Sequence, residues 1–209
     1  MISSNFPHKY IDKLYEGLKQ TQYSVSGSKI DVNGFFKELL KITKEVKKNN
    51  GRLFFFGNGA SASFSNHMAL DWSKNGGILA LSLSDSSMLT ALANDYDYET
   101  CFLEYLKINK PTVKDFIITT SSSGNSPNVI KLLKYCKSKN IPSLALSGLN
   151  KNNKSIGLCD YSIHVNMKTY GMVECIHQIF HHLWLDNYMG IEEWKKTESQ
   201  NMDVNNFRL

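Results

Sequence analysis

The run Leu53-Phe54-Phe55-Phe56, followed at once by Gly57-Asn58-Gly59-Ala60-Ser61-Ala62-Ser63, narrows the folds open to this chain. Four consecutive large apolar residues leave no polar face. The strand they predict must be covered on both sides, as in the parallel sheet of an α/β protein. The small residues that end it let the backbone approach a ligand closely. A helical pattern then runs from about Ser63 to Trp72, and the free amides at a helix start suit an anion. His67 and Asp71 lie four apart on that helix and so share one face.

The rest of the chain repeats this alternation. Strand-like runs fall at Arg52–Phe56, Ile78–Leu83, Asp115–Thr120, Ser143–Ser147 and Tyr161–Val165. Helical patterns lie near Ser63–Trp72, Ser86–Ala93, Glu99–Leu106 and Ser126–Ser138, with a short one at Lys154–Leu158. A long last helix is expected from about Gly171 to Glu193. The expected fold class is therefore α/β: a three-layer, doubly wound sandwich around a five-stranded parallel sheet. Ahead of it, residues 8–49 read as two amphipathic helices separated by a polar break, Ser24-Val25-Ser26-Gly27-Ser28. The expected organisation is an N-terminal helical extension over 1–50 that serves oligomerisation, one domain over 51–195, and a flexible tail over 196–209.

Composition excludes several classes. The apolar fraction of 42% suits a globular chain, and no apolar run approaches the roughly 20 residues of a membrane span. Met1–Tyr10 has no signal-like apolar region, which argues against export. The four cysteines, Cys101, Cys136, Cys159 and Cys175, form no CxxC pair and fit reduced thiols in a cytoplasmic protein. The net charge of +5 rests almost wholly on lysine, since Arg52 and Arg208 are the only arginines. Without arginine forks or a basic stripe, neither a nucleic-acid nor a membrane partner is expected. A phosphate site would have to use hydroxyls, amides and lysine.

Such a site is offered by Thr119-Thr120-Ser121-Ser122-Ser123-Gly124-Asn125-Ser126-Pro127. It too follows a strand and opens a helix, with Ser126 at the N-cap and Pro127 at the first helical position. Four serines at the positive end of a helix suit a dianionic phosphate; an ordinary capped turn is the plainer reading. For His67 and Asp71, the plainer reading is a hydrogen-bonded pair. Helical spacing brings Glu174 closer in azimuth to His181 than to His182.

Together the two loops, with Ala93-Asn94-Asp95-Tyr96 and the helix bearing Glu174 and His182, resemble the sugar-isomerase (SIS) domain family. Within it the motifs are most similar to those of the phosphoheptose isomerases. The resemblance spans about residues 50–190 and implies a flavodoxin-like sheet in a homotetramer with active sites where subunits meet. It implies aldose–ketose isomerisation of a sugar 7-phosphate through an enediol, with zinc as the cofactor. By position, Asn58, Gly59 and Ala60 would line the sugar site, Asn94 and Asp95 would contact its hydroxyls, and Ser121, Ser122, Ser123 and Ser126 would hold the phosphate. His67, Asp71, Glu174 and His182 would bind the metal, with Asp71 and Glu174 also touching substrate. Asp71 and His182 would carry the protons. The chain departs from the family at three places. Ala60 stands for a glycine, Asp71 for a glutamate and Glu174 for a glutamine. These departures keep open an isomerase of another phosphosugar, or a non-catalytic SIS protein that binds a sugar phosphate or a replication-initiator partner.

Overall fold

A computed structural model describes residues 5–192. In chain order the elements are α1 (Phe6–Lys19), β1 (Gln22–Val25), β2 (Ser28–Ile30), α2 (Val32–Lys48), β3 (Leu53–Gly57), α3 (Ala60–Lys74) and β4 (Ala80–Ser82). They continue with α4 (Ser86–Asp95), α5 (Cys101–Ile108), β5 (Phe116–Ser121), α6 (Pro127–Ser138), β6 (Ser143–Gly148), β7 (Tyr161–Val165) and α7 (Tyr170–Met189). The sheet runs β2-β1-β7-β6-β5-β3-β4. Its five strands β7, β6, β5, β3 and β4 are parallel, as expected.

The period-two geometry of a strand explains the all-apolar run in β3. Leu53 and Phe55 face one core, where they meet Trp72, Phe116, Trp184 and Phe35. Phe54 and Phe56 face the other, with Phe102, Leu106, Val129 and Leu133. Trp184 fixes α7 on the first face: its ring lies 4.6 Å from that of Trp72, and its Nε1 donates to Thr43 of α2 at 3.0 Å. Truncating either tryptophan to alanine removes a fully buried ring, which costs about 3–5 kcal/mol.

Three expectations are corrected. The polar break at Ser24–Ser28 is a hairpin, β1–β2, whose first strand adds antiparallel to β7, giving seven strands rather than five. Its two turn residues, Ser26 and Gly27, have φ of 49° and 80°, the left-handed pair that a tight hairpin requires. With Tyr23, Phe35, Phe36 and Leu39 in the first core, residues 22–48 belong to the sheet and its cover. The short helix at Lys154–Leu158 is a series of turns. There Asn150 and Asn153 side chains bond nearby backbone, which competes with helical bonding. The last helix stops at Met189, because Gly190 turns left-handed at φ 71° and closes the end. Glu193 and the tail lie outside the described residues.

The order of the strands places the site. From β3 the chain goes to β4 on one side, and from β5 to β6 and β7 on the other. The crevice between the C-terminal ends of β3 and β5 is thus the switch point, where α/β sheets bind ligands. Both Gly/Ser loops leave the sheet there.

Candidate active site

The serine loop leaves β5 at Ser121 and enters α6 at Pro127. Ser126 holds the N-cap position, yet its hydroxyl makes no capping bond. It lies instead 3.2 Å from Ser121 Oγ, which is 3.5 Å from Ser123 Oγ. Three rotatable hydroxyls thus converge on a cavity of about 120 Å³ walled by Asn58, Ser61, Ser121, Ser122, Tyr170 and Glu174, among others. By water's share of liquid volume, about 30 Å³, that is room for about four waters, or one tetrahedral anion. Among the described residues, no lysine or arginine lines this wall, so an anion here depends on O–H and N–H donors.

The segment after β6 holds the loop from behind. Gly148 N donates to Ser122 O at 3.0 Å, Ser155 N to Gly124 O at 3.1 Å, and Lys154 N to Asn125 Oδ1 at 3.0 Å. Gly124 sits at φ 61°, and a Cβ there would lie 2.2 Å from Asn153 Oδ1. Only glycine fits.

In the first loop, α3 begins at Ala60, three residues earlier than expected, after Gly59 at φ 58°. Asn58 is clamped: its Oδ1 accepts from Tyr98 Oη at 2.9 Å and Asn128 Nδ2 at 3.0 Å, while its Nδ2 donates to Asn128 Oδ1 at 3.0 Å. One N–H remains for a ligand. Gly59 and Ala60 are exposed at the start of α3 and lie off the cavity wall. Asn94 and Asp95, at the end of α4, are exposed and bond one another at 3.0 Å. Of the expected sugar-side residues, the cavity therefore gathers Asn58, Glu174 and the four serines.

The ionisable residues form a second cluster. His67 Nε2 lies 3.1 Å from Asp71 Oδ2, and the His67 and His182 ring centres are 5.3 Å apart. One ligand-capable atom from each of His67, Asp71 and His182 lies within 4.8 Å of the others. Donors about 2.0–2.1 Å from a tetrahedral ion sit about 3.3 Å apart, so modest rotation of these chains would close them on a metal. Two imidazoles and a carboxylate, with a position left open, fit a divalent ion. Glu174 is not in this trio. It precedes His182 by eight residues on α7, about 12 Å along the axis, and lines the serine cavity instead. Gln178, one turn before His182, takes the neighbouring place: its Nε2 is 2.7 Å from His182 Nε2, and its buried Oε1 has no partner among the described residues.

The other histidines of α7 point inward. His181 Nε2 meets Thr120 Oγ1 at 2.9 Å, and burial pushes its pKa down to about 3. His177 donates from Nε2 to Ser147 O at 3.0 Å, and burial lowers its pKa to about 4. His181, which spacing placed near Glu174's face, is therefore part of the core. Ser61 lay within the first loop read from the sequence without a role of its own, whereas Tyr170, Tyr98, Asn128 and Gln178 went unrecognised. Only Gln178, four residues before His182, carried a spacing signal.

Residues 32–148 match the SIS domain family. The chain is 37% identical over 145 residues to a phosphoheptose isomerase of Aneurinibacillus thermoaerophilus, covering 66% of this chain and 72% of that one. It is 36% identical to phosphoheptose isomerase 2 of Campylobacter jejuni, with 65% and 70% covered. The fold matches a phosphoheptose isomerase structure from Neisseria gonorrhoeae with TM-score 0.74 at 23% identity, covering 88% of this chain and 95% of that one. One from Francisella tularensis gives TM-score 0.76 at 15% identity, with 91% and 100% covered. The chain belongs to the sugar-isomerase (SIS) domain family, in which it is similar to proteins named phosphoheptose isomerase.

Proposed function

We propose that this protein is an aldose–ketose isomerase that converts D-sedoheptulose 7-phosphate to D-glycero-D-manno-heptose 7-phosphate. That reaction would open the synthesis of nucleotide-activated heptose for lipopolysaccharide or capsule. One observation carries the reading. The serine cavity and the His67–Asp71–His182 trio are served by one helix, two turns apart, about 12 Å along its axis. With carbon–carbon bonds of about 1.5 Å, an extended seven-carbon sugar phosphate has about that reach. Relatives named phosphoheptose isomerase support the same substrate.

In this reading Ser121, Ser122, Ser123 and Ser126 hold the phosphate, and its binding energy fixes the distant carbons in place. Asn58 offers one N–H to the sugar, beside Gly59 and Ala60, with Asn94 and Asp95 available to its hydroxyls. Glu174 accepts from a sugar hydroxyl at the cavity wall. Asp71 takes the proton from C1 while His182 gives one to the C2 oxygen, giving the enediol. His182 then takes the proton from the C1 oxygen while Asp71 returns its proton to C2, completing the aldose. A divalent ion held by His67, Asp71 and His182, for which zinc suits the donors, would supply Lewis acidity toward the carbonyl oxygen. The assembly we propose is a cytoplasmic homotetramer. Exposed Phe6, Ile11 and Tyr15 on α1, and Leu70, Ile179 and Leu183 on α3 and α7, support subunit packing.

Glu174 on the phosphate wall, where the family resemblance leads one to expect a glutamine, favours as second reading an isomerase of a different phosphosugar. The test incubates chelator-treated protein with sedoheptulose 7-phosphate, with and without zinc, and follows aldose formation. Zinc-dependent conversion is expected. Binding without conversion would replace the enzyme by a sugar-phosphate sensor, and absence of both would overturn the reading.

A further inference from the structure

One backbone N–H at the start of α6 orders the polar groups on both sides of the serine cavity. Val129 is the third residue of α6, too early for an intrahelical carbonyl; the first such bond runs from Ile130 N to Ser126 O at 3.0 Å. A serine at the N-cap ordinarily accepts the hydrogen of the third residue, and Ser126 does not. Asn128 does so instead: Val129 N donates to Asn128 Oδ1 at 3.0 Å. Asn128 is 2% exposed and is not itself on the cavity wall.

That bond decides which way two amides face. Asn58 and Asn128 pair reciprocally, each Nδ2 donating to the other's Oδ1 at 3.0 Å. Such a pair keeps both bonds if the two amides flip together, so the pairing alone leaves its orientation open. A backbone N–H can only donate, and the Asn128 atom facing Val129 is therefore the oxygen. The flipped pair would set the Asn128 amino group against that N–H and leave a buried donor without a partner. With Asn128 fixed, Asn58 Oδ1 accepts from Asn128 Nδ2 and from Tyr98 Oη, which fills both its lone pairs. The half-buried Asn58 on the cavity wall then has an N–H to spare. In the flipped pair the spare group would be a carbonyl lone pair, which repels an anion.

We propose that Asn128 is a positioning residue for the anion in the serine cavity. It caps α6 in place of Ser126, whose hydroxyl stays beside Ser121 Oγ at 3.2 Å, and it turns Asn58 to donate. The inference rests on the proposed phosphosugar function and names what suits that wall to an anion. Among the described residues the wall has no lysine or arginine, and Glu174 adds an acceptor, so recognition depends on how many hydrogens are aimed inward. Asn128 governs two of them without touching the ligand.

The test measures Kd for sedoheptulose 7-phosphate by calorimetry, with kcat and KM beside it. It uses wild type, Asn128→Ala, Asn58→Ala with Ser126→Ala, and the triple variant, each checked for folding by thermal melting. Asn128→Ala should raise Kd about tenfold in the wild-type background, with kcat little changed, since donors to a charged group are lost. It should raise Kd less than about twofold in the paired background, where the residues it acts through are gone. In wild type, the two Asn58 side-chain N–H resonances are assigned by their loss in Asn58→Ala. One should move on binding more than the other, which stays with Asn128. Equal weakening in both backgrounds would mean that Asn128 acts only through the fold, and overturns the proposal. Unchanged affinity in Asn128→Ala, or equal or absent movement of the two resonances, overturns it as well. If Asn128→Ala does not fold, the wild-type resonances decide alone. Failure of wild type to bind the phosphosugar overturns the proposed function and this inference with it, whereas any other failure overturns this inference alone.

Discussion

The serine cavity and the His67–Asp71–His182 trio share helix α7 but are held in opposite ways. The serine loop owes its shape to acceptors tied from behind: the carbonyls of Ser122 and Gly124 and the side-chain Oδ1 of Asn125 accept from backbone N–H groups of residues 148–155, and its hydroxyls are left over. The trio owes its shape to two helix faces, and its side chains bond chiefly each other and Gln178. Fixed backbone with spare donors suits a group that is bound and does not change. Ionisable side chains that can exchange partners suit a group whose protons move. On the proposed function, the contrast suits the first region to binding and the second to reaction.

Substitutions in the two regions should separate these roles, and here the largest effect is expected. Asp71→Asn and His182→Ala should each lower kcat about 10²- to 10⁴-fold, the usual contribution of a positioned acid or base, with phosphosugar affinity kept. Ser121→Ala with Ser123→Ala should instead raise Kd and KM at least tenfold and leave kcat closer to wild type, since a hydrogen bond to a charged group contributes about 1.5–3 kcal/mol. Steady-state kinetics beside calorimetric binding of the substrate measure both. Normal turnover in both trio variants would remove the acid–base assignment.

How much of this was readable beforehand follows the same division. The strand-to-loop-to-helix order at β3 and β5 was legible because a buried apolar run broken by Gly and Ser marks a strand end, although α3 starts at Ala60 rather than Ser63. The four serines of the cavity, and the pairing of His67 with Asp71, followed from the same local spacing. What lay beyond reach depends on long-range placement. Ser26-Gly27 looked like a polar break because nothing local says that β1 will find β7. Asn128 and Tyr98 meet Asn58 across distant elements. Glu174 and His182 sit on one helix, yet only the positions of β5 and α3 decide that one faces serines and the other His67.

That split of α7 yields a narrower test, on metal binding without turnover. Gln178, whose Oε1 has no partner among the described residues, should act with the trio beside His182, while Glu174 should not. Gln178→Ala should weaken divalent-metal affinity about 10- to 100-fold, as loss of a group supporting a ligand does. Glu174→Gln should change it by less than about threefold on the same reasoning, since it supports no ligand. Competition against a chelating dye on substrate-free protein reads both. The reverse ranking would return Glu174 to the ligand set, reached through a neighbouring subunit.

The smallest effect concerns the histidines that α7 buries between the two regions, and it appears in stability rather than catalysis. Burial lowers His177 to about 4 and His181 to about 3, against about 6.5 in an unfolded chain. Between pH 6.5 and 4 the unfolded chain binds protons that the folded chain excludes, so stability rises with pH across that window. The contribution is fully present above pH 6.5 and declines as pH falls toward 4. Each histidine adds up to about 1.4 kcal/mol per pH unit to the slope. Urea unfolding at several pH values between 7 and 4.5 should show this fall. His177→Gln, whose amide can still donate to Ser147 O, should reduce the slope by about one proton, and His181→Asn should do the same beside Thr120. If either variant folds with the wild-type slope, that ring is charged inside the protein, and its burial as a neutral donor is refuted.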